Sequence, residues 1–296
     1  MTIARTIAVV IFAAGLMLGG AAPPAAPSAP PVRGGYLVLR GDFHVHSFPG
    51  DGALLPRDLA IEARRRRLDV IALTNHNAMI SWRVAERLSW TRGGDDLLVL
   101  PGDEVTGVRF HMAAVGLSRP VSWRGSPAPI IAEVHAQHGV AIAAHPAGTV
   151  AEAYDSAAIR ALDGVEAAHP GMHEDKKIRR EFQAFYARAV RQHPGIAAIG
   201  SSDFHTLAPI GFCRTFLFVR ERSAAGVLEA IRSGRTVACD GGGETYGPAS
   251  LAALVAGDCR ADAGAEPADA TRVTRAGALL AWLALLALVV LGPGGR

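Results

Sequence analysis

Metal-ligand residue types recur along this chain, and each occurrence closes an apolar run. Asp42-Phe43-His44-Val45-His46 comes first and Asp51 follows; then come Thr74-Asn75-His76, Asp103-Glu104, His111, His145-Pro146 and Ser202-Asp203-Phe204-His205. Imidazole and carboxylate are the side chains that zinc, manganese and iron accept as ligands. Six of the eleven histidines belong to this series, at strand-like ends rather than on helix faces. The pattern predicts several divalent ions at one mouth of a barrel. The other histidines are not assigned to metal. His135 and His138 share a helical segment, and His173 and His193 fall in a loop and at a helix end. His169 ends a strand from which it could reach the mouth.

The segments that must position these residues alternate between strand and helix. Strands are expected at 36–42, 70–74, 97–100, 111–117, 140–144, 165–168, 196–200, 212–219 and 236–238. Helices are expected at 56–68, 81–90, 127–138, 155–162, 174–192 and 224–233. Pro56 opens the first helix, and Arg64 to Arg67 form its basic outer face. Apolar strands separated by helices argue for parallel strands buried on both faces. Seven or so such repeats fit a closed barrel better than an open sheet. Barrel chemistry sits at the carboxyl ends of strands, which is where the ligand series lies.

At 296 residues the chain can bury one large α/β core. A net charge of +3 gives no electrostatic ground for stable duplex nucleic-acid binding. No Walker-type Gly-Lys loop and no Gly-x-Ser-x-Gly elbow occurs. The three cysteines, Cys213, Cys239 and Cys259, lack the spacing of a zinc ribbon. Cys213 and Cys239 fall on late strands and could pair in an oxidising compartment.

The ends divide the chain further. Residues 1–21 are expected to be a signal peptide or anchor, since Arg5 precedes an apolar run from Ile7 to Leu18. Residues 22–35 are a Pro/Ala linker, 36–256 the folded domain and 257–275 a second linker. Residues 276–292 are expected to be a transmembrane helix, short against the roughly 20 residues that span a bilayer. Arg5 argues for a membrane-anchored protein with its domain outside the cytoplasm, in the periplasm or beyond; Arg272 and Arg275 mildly oppose that orientation.

The ordered set His44, His46, Asp51, His76, Glu104, His111, His145, Asp203 and His205 resembles the PHP family, the polymerase and histidinol phosphatase superfamily, over about residues 36–240. Ile231-Arg232 before Gly234-Arg235-Thr236 is similar to the closing helix and strand of its phosphoesterases and exonucleases. The resemblance implies an α/β fold, a distorted (β/α)7 barrel, holding two or three Zn, Mn or Fe ions. By it, His44, His46, Glu104 and Asp203 hold one metal. Glu104, His111 and His145 hold the second, with Glu104 bridging, and Asp51, His76 and His205 take the third. The chain departs from the family pattern at Asn75, where an aspartate usually precedes the histidine. An amide cannot lend a carboxylate's charge to orient or strengthen a ligand.

The expected activity is a metal-dependent phosphoesterase in which a metal-bridged hydroxide attacks phosphorus, with Glu104 and Asp203 in the catalytic set. A basic residue would neutralise charge. Arg214 is the first candidate, ahead of Arg109, Lys177 and Arg179. The substrate would be a small phosphomonoester, a nucleotide or the 5′ end of an oligonucleotide. A metallohydrolase of carbamate or carboxylic esters is the alternative, because a barrel does not fix the bond broken. A non-catalytic metal-binding surface module is the third reading.

Overall fold

A computed structural model describes residues 3–19, 29–88, 97–205, 208–263 and 268–290. The chain begins with α1 (Ile3–Gly19), β1 (Val32–Arg33) and β2 (Tyr36–Val45), followed by α2 (Pro56–Arg65), β3 (Val70–Leu73) and α3 (Ile80–Arg87). The middle comprises β4 (Leu98–Gly107), β5 (Phe110–Val115), α4 (Pro127–Ala136), β6 (Val140–Ala143), α5 (Ser156–Ala161) and β7 (Gly164–Ala168). Next come α6 (Gly171–Glu174), α7 (Lys176–Gln192), β8 (Ala197–Gly200), β9 (Arg214–Val219), α8 (Ala224–Arg232) and β10 (Thr236–Cys239). Last are β11 (Thr245–Tyr246), α9 (Ala249–Ala263) and α10 (Ala268–Val290). Local chemistry sets several starts: Pro56 and Pro127 open α2 and α4, and the Asp155, Asp175 and Ser223 side chains cap α5, α7 and α8. The last residues of the expected helix at 81–90 lie outside the described residues.

The strands form one sheet in the order β11-β10-β9-β2-β3-β4-β5-β6-β7-β8, with β1 on β2, curled into a nearly closed barrel. It is mixed rather than parallel throughout, which corrects the expectation. β2, β3 and β4 are parallel, as are β6, β7 and β8. β5 runs antiparallel to both its neighbours, and β9 runs antiparallel to β2 and β10. The reason at β5 is the connection: only Val108 and Arg109 separate it from β4, and Arg109 takes a left-handed φ of 78°. A parallel pair would need a crossover of a dozen residues or more.

The ends of the curl meet through a side chain. Thr215 Oγ1 in β9 donates to the Gly200 carbonyl (3.0 Å) and accepts from the Gly200 N–H (3.0 Å). A Cβ at Gly200 would come within 2.4 Å of the Arg214 carbonyl, so only glycine permits this seam. Leu39, Phe43, Ala72, Ala113, Ile142, Ile199 and Leu217 fill the barrel floor. Ile131, Val134, Ile159 and Phe185 seal helices over one flank, and Leu59, Ala63 and Ala85 over the other. Each large side chain so buried is worth roughly 1.5–3 kcal/mol. Stability therefore resides in the floor and flanks, leaving the mouth to carry charge.

The C-terminal part departs from expectation in three ways. α9 runs past residue 256, where the domain was expected to end, and is tied to the barrel by a Cys239–Cys259 disulfide. Cys213 is therefore free and buried, not the partner of Cys239. Among the described residues no helix is long and apolar enough to cross a membrane, so the transmembrane reading of 276–292 is not supported. Residues 276–290 instead belong to α10, which packs on α1, the segment expected to be a signal or anchor. The helices approach closely because small residues meet: a Cβ on Gly15 would lie 2.6 Å from Ala281 N and Gly277 O.

Candidate metal centre

The nine residues of the ligand series converge at the mouth in three groups. His44 and His46 come from the end of β2, Glu104 from β4, His111 from β5, His145 from the residue pair after β6, and Asp203 and His205 from the loop after β8. Asp51 and His76 come from the loops after β2 and β3. His145 and Asp203 adopt left-handed φ values of 27° and 48°, which non-glycine residues seldom hold without compensation.

The first group is the most buried. His44 Nε2 lies 3.3 Å from Glu104 Oε2 and 3.2 Å from Asp203 Oδ1, and His46 Nε2 lies 3.3 Å from each of the same two oxygens. None of these four buried atoms has a hydrogen bond of good geometry, although Glu104 Oε2 also lies 2.7 Å from His76 Nδ1. Polar atoms taken from water and left unpaired are costly, about 1–3 kcal/mol each and more when charged. Two imidazole nitrogens and two carboxylate oxygens facing one another are also four donors of the types zinc accepts. The residues present thus fit a divalent ion.

Glu104 turns its other oxygen to the second group: Oε1 is 2.8 Å from His111 Nδ1 and 3.0 Å from His145 Nε2. The third group is more open. Asp51 Oδ2 is 3.2 Å from His76 Nε2 and 3.1 Å from His205 Nε2, while Asp51 Oδ1 accepts from His46 Nδ1 at 3.0 Å. His46 therefore stands between the first and third groups, and its ring stacks on His205 at 3.8 Å.

The charges are strongly coupled. Burial alone would depress the pKa of His44, yet Asp203, Glu104 and Glu166 hold it well above the usual imidazole value. Burial likewise opposes protonation of His46, but the neighbouring carboxylates of Asp203, Asp51 and Glu104 bring its pKa to about 10. Burial would raise Glu104, and His44, His111 and His145 instead hold it well below the carboxylate range. The carboxylates demand positive charge at this point, and imidazolium protons or a divalent ion can supply it.

Two supporting carboxylates were given no role from sequence. Glu166 in β7 accepts from His44 Nδ1 (2.8 Å) and from the His145 N–H (2.6 Å). The first bond fixes the His44 tautomer with the Nε2 lone pair facing Glu104 and Asp203. The signal for it was a carboxylate inside an apolar strand, Gly164–Ala168. Asp42 accepts from the N–H groups of Ser202 (3.1 Å) and Gly211 (2.8 Å), and so holds the loop that carries Asp203 and His205.

Asn75 has a clear task of its own. Its Nδ2 donates to the Ser47 carbonyl at 2.6 Å, and its Oδ1 accepts from Ser81 Oγ at 2.6 Å and Ser47 N at 3.2 Å. A carboxylate could not make the first bond. The amide thus clamps the loop that leads to Asp51 without touching a ligand atom of the three groups.

The expected basic residue is corrected. Arg214 is buried at the start of β9, where its guanidinium donates to the carbonyls of Gly211 and Arg66 and to Asp262 of α9. Arg109 pairs with Glu152, Lys177 with Glu181, and Arg179 with Asp240 and Glu244. The residue that does reach the mouth is His169. Its Nδ1 accepts from the Gly171 N–H (3.1 Å), which leaves Nε2–H directed to Asp203 Oδ2 at 3.4 Å. Its position at the end of β7 was the sequence signal.

Comparison with known proteins follows the same lines. A family described as PHP-associated matches residues 185–236, from α7 through the Asp203–His205 loop to β10. An uncharacterized protein of Methanocaldococcus jannaschii is 26% identical over 141 residues, 43% of this chain and 80% of that protein. A two-domain Bacteroides vulgatus protein, described as containing a predicted PHP-like metal-dependent phosphoesterase, superposes with a TM-score of 0.61 at 24% identity, over 79% of this chain and 74% of its own. That likeness shows a shared fold. A putative metal-dependent phosphoesterase of Bifidobacterium adolescentis gives a TM-score of 0.46 at 20% identity, over 62% of this chain and 92% of its own.

Proposed function

We propose that this chain is a PHP-type metal-dependent hydrolase that cleaves phosphate esters, a reading supported by the PHP-associated match over residues 185–236 and by the shared fold. The observation that carries this reading is the convergence of four buried donor atoms, His44 Nε2, His46 Nε2, Glu104 Oε2 and Asp203 Oδ1, none with a hydrogen bond of good geometry. His44, His46, Glu104 and Asp203 would hold one ion, Glu104, His111 and His145 another, and Asp51, His76 and His205, beside His46, a third. When bound, zinc, manganese or iron ions supply Lewis acidity toward phosphoryl oxygens and ionise water near neutral pH.

The chain's own residues do the rest. Glu104 couples the first two groups by offering one oxygen to each. Glu166 and Asp51 orient the His44 and His46 rings through their Nδ1 atoms. His169 presents Nε2–H at the mouth and is placed to give a proton to the leaving oxygen. The Cys239–Cys259 bond supports the expectation of an extracytoplasmic location, since disulfides persist in oxidising compartments. The test is turnover by the full chain loaded with zinc, manganese or iron. Phosphomonoesters, phosphodiesters and aryl carboxylic esters are compared with and without chelator. Chelator-sensitive release of phosphate is expected; turnover of carboxylic esters alone would overturn the reading.

A further inference from the structure

The loop that carries Asp51 has a second face. Phe48, Ala53 and Leu55 from this loop, Phe12 from α1, and Trp282 and Leu285 from α10 line a cleft of about 320 Å³, counted to its open mouth. These lining side chains carry no charge, and Phe48 meets Trp282 edge-on at 4.5 Å. The cleft is joined to the candidate metal centre by the backbone itself: the Ala53 N–H donates to the His205 carbonyl at 2.9 Å, and Asp51, two residues earlier, bonds His205 Nε2. The ligand group on this side is the open one, and the cleft's lining begins two residues after its Asp51.

We propose that the substrate is amphiphilic, a phosphate ester whose alcohol bears an alkyl chain, and that this chain lies in the cleft between the Asp51 loop and the α1–α10 pair. The proposal rests on the phosphoesterase reading for the identity of the head group. A small polar ester or a nucleotide would leave this apolar cleft in water beside the reacting centre, at the cost of its exposed area. Leu286, one turn along α10 from the lining Trp282, is exposed, so a chain longer than the cleft meets further apolar surface. Binding energy gained there, away from the reacting atoms, positions the phosphoryl group.

The experiment uses the metal-loaded full chain and two homologous series. Ethyl, butyl, hexyl and octyl phosphate are compared by kcat/KM from released phosphate. The matching alkylphosphonates, which cannot be hydrolysed, are compared by calorimetric Kd. Each buried methylene contributes severalfold, so octyl should exceed ethyl by at least about tenfold in both series. Leu285→Glu should bring both ratios toward one. Equal Kd for ethyl- and octylphosphonate in the wild-type protein would overturn the proposal, whether or not the variant folds. Phosphate release with no chain-length dependence would overturn it while leaving the phosphoesterase reading intact. Chain-length-dependent phosphonate binding without release from any ester would support the cleft's ligand and remove the phosphoesterase reading.

Discussion

The two flanks of the candidate metal centre are built differently. His44, His46 and Glu104 have fully buried side chains, and Glu166 and Asp42 brace the ring and the backbone of His44. Asp51, His76 and His205 have side chains 43%, 35% and 33% exposed and hang from loops. Buried and rigidly oriented ligands favour retention of an ion. Exposed ligands that already bond one another through Asp51 favour exchange, and leave room for a substrate oxygen. On this reading the buried flank holds the charge and the exposed flank meets the solute.

The sharpest way to break this contrast is Glu104→Gln. The variant removes an anionic oxygen from two groups at once, so metal content should fall at both and turnover should drop to the chelated background. Metal analysis showing an unchanged ion count would contradict the bridging role. Asp51→Asn tests the other flank. Ion content should fall by the loosely held ion only, with the ion at His44 and Glu104 kept after dialysis. Loss of all metal in this variant would erase the distinction between the flanks.

Smaller effects sharpen it. Glu166→Gln keeps the shape but weakens the carboxylate that orients His44, and metal affinity should fall about 10–100-fold with the fold intact by circular dichroism. Asn75→Asp sets a carboxylate oxygen against the Ser47 carbonyl, and should cost about 1–3 kcal/mol in denaturant unfolding without removing any ligand. The pH dependence has a defined sign. The raised His46 pKa contributes stability that is complete below its unfolded value of about 6.5 and is lost as pH rises through about 10. The thermal midpoint of the metal-free protein should therefore decline across that window. The loaded protein should decline less, because its ligand nitrogen carries no proton to lose.

Much of this centre was legible in the chain because imidazoles and carboxylates at the ends of apolar strands have few structural uses. All nine ligand candidates meet at one mouth. What sequence hid was direction and partnership. β5 has the same apolar character whether parallel or antiparallel, and only the two-residue turn at Val108 and Arg109 decides it. Arg214 follows the last ligand motif closely, but its side chain is claimed by Asp262 from a helix 48 residues away. The end of that helix, from residue 257, falls in the stretch read as a linker, which also concealed Cys259 as the partner of Cys239. The apolar 276–290 segment carries the composition of a membrane span, yet Gly15, Gly277 and Ala281 give it a helical neighbour.

The most direct test is to load the full chain with zinc, manganese or iron, remove the excess and locate the retained ion by anomalous scattering. An ion about 2.0–2.3 Å from the near atoms of His44, His46, Glu104 and Asp203 is the predicted result. A folded chain that retains no metal there under any loading condition would contradict the account.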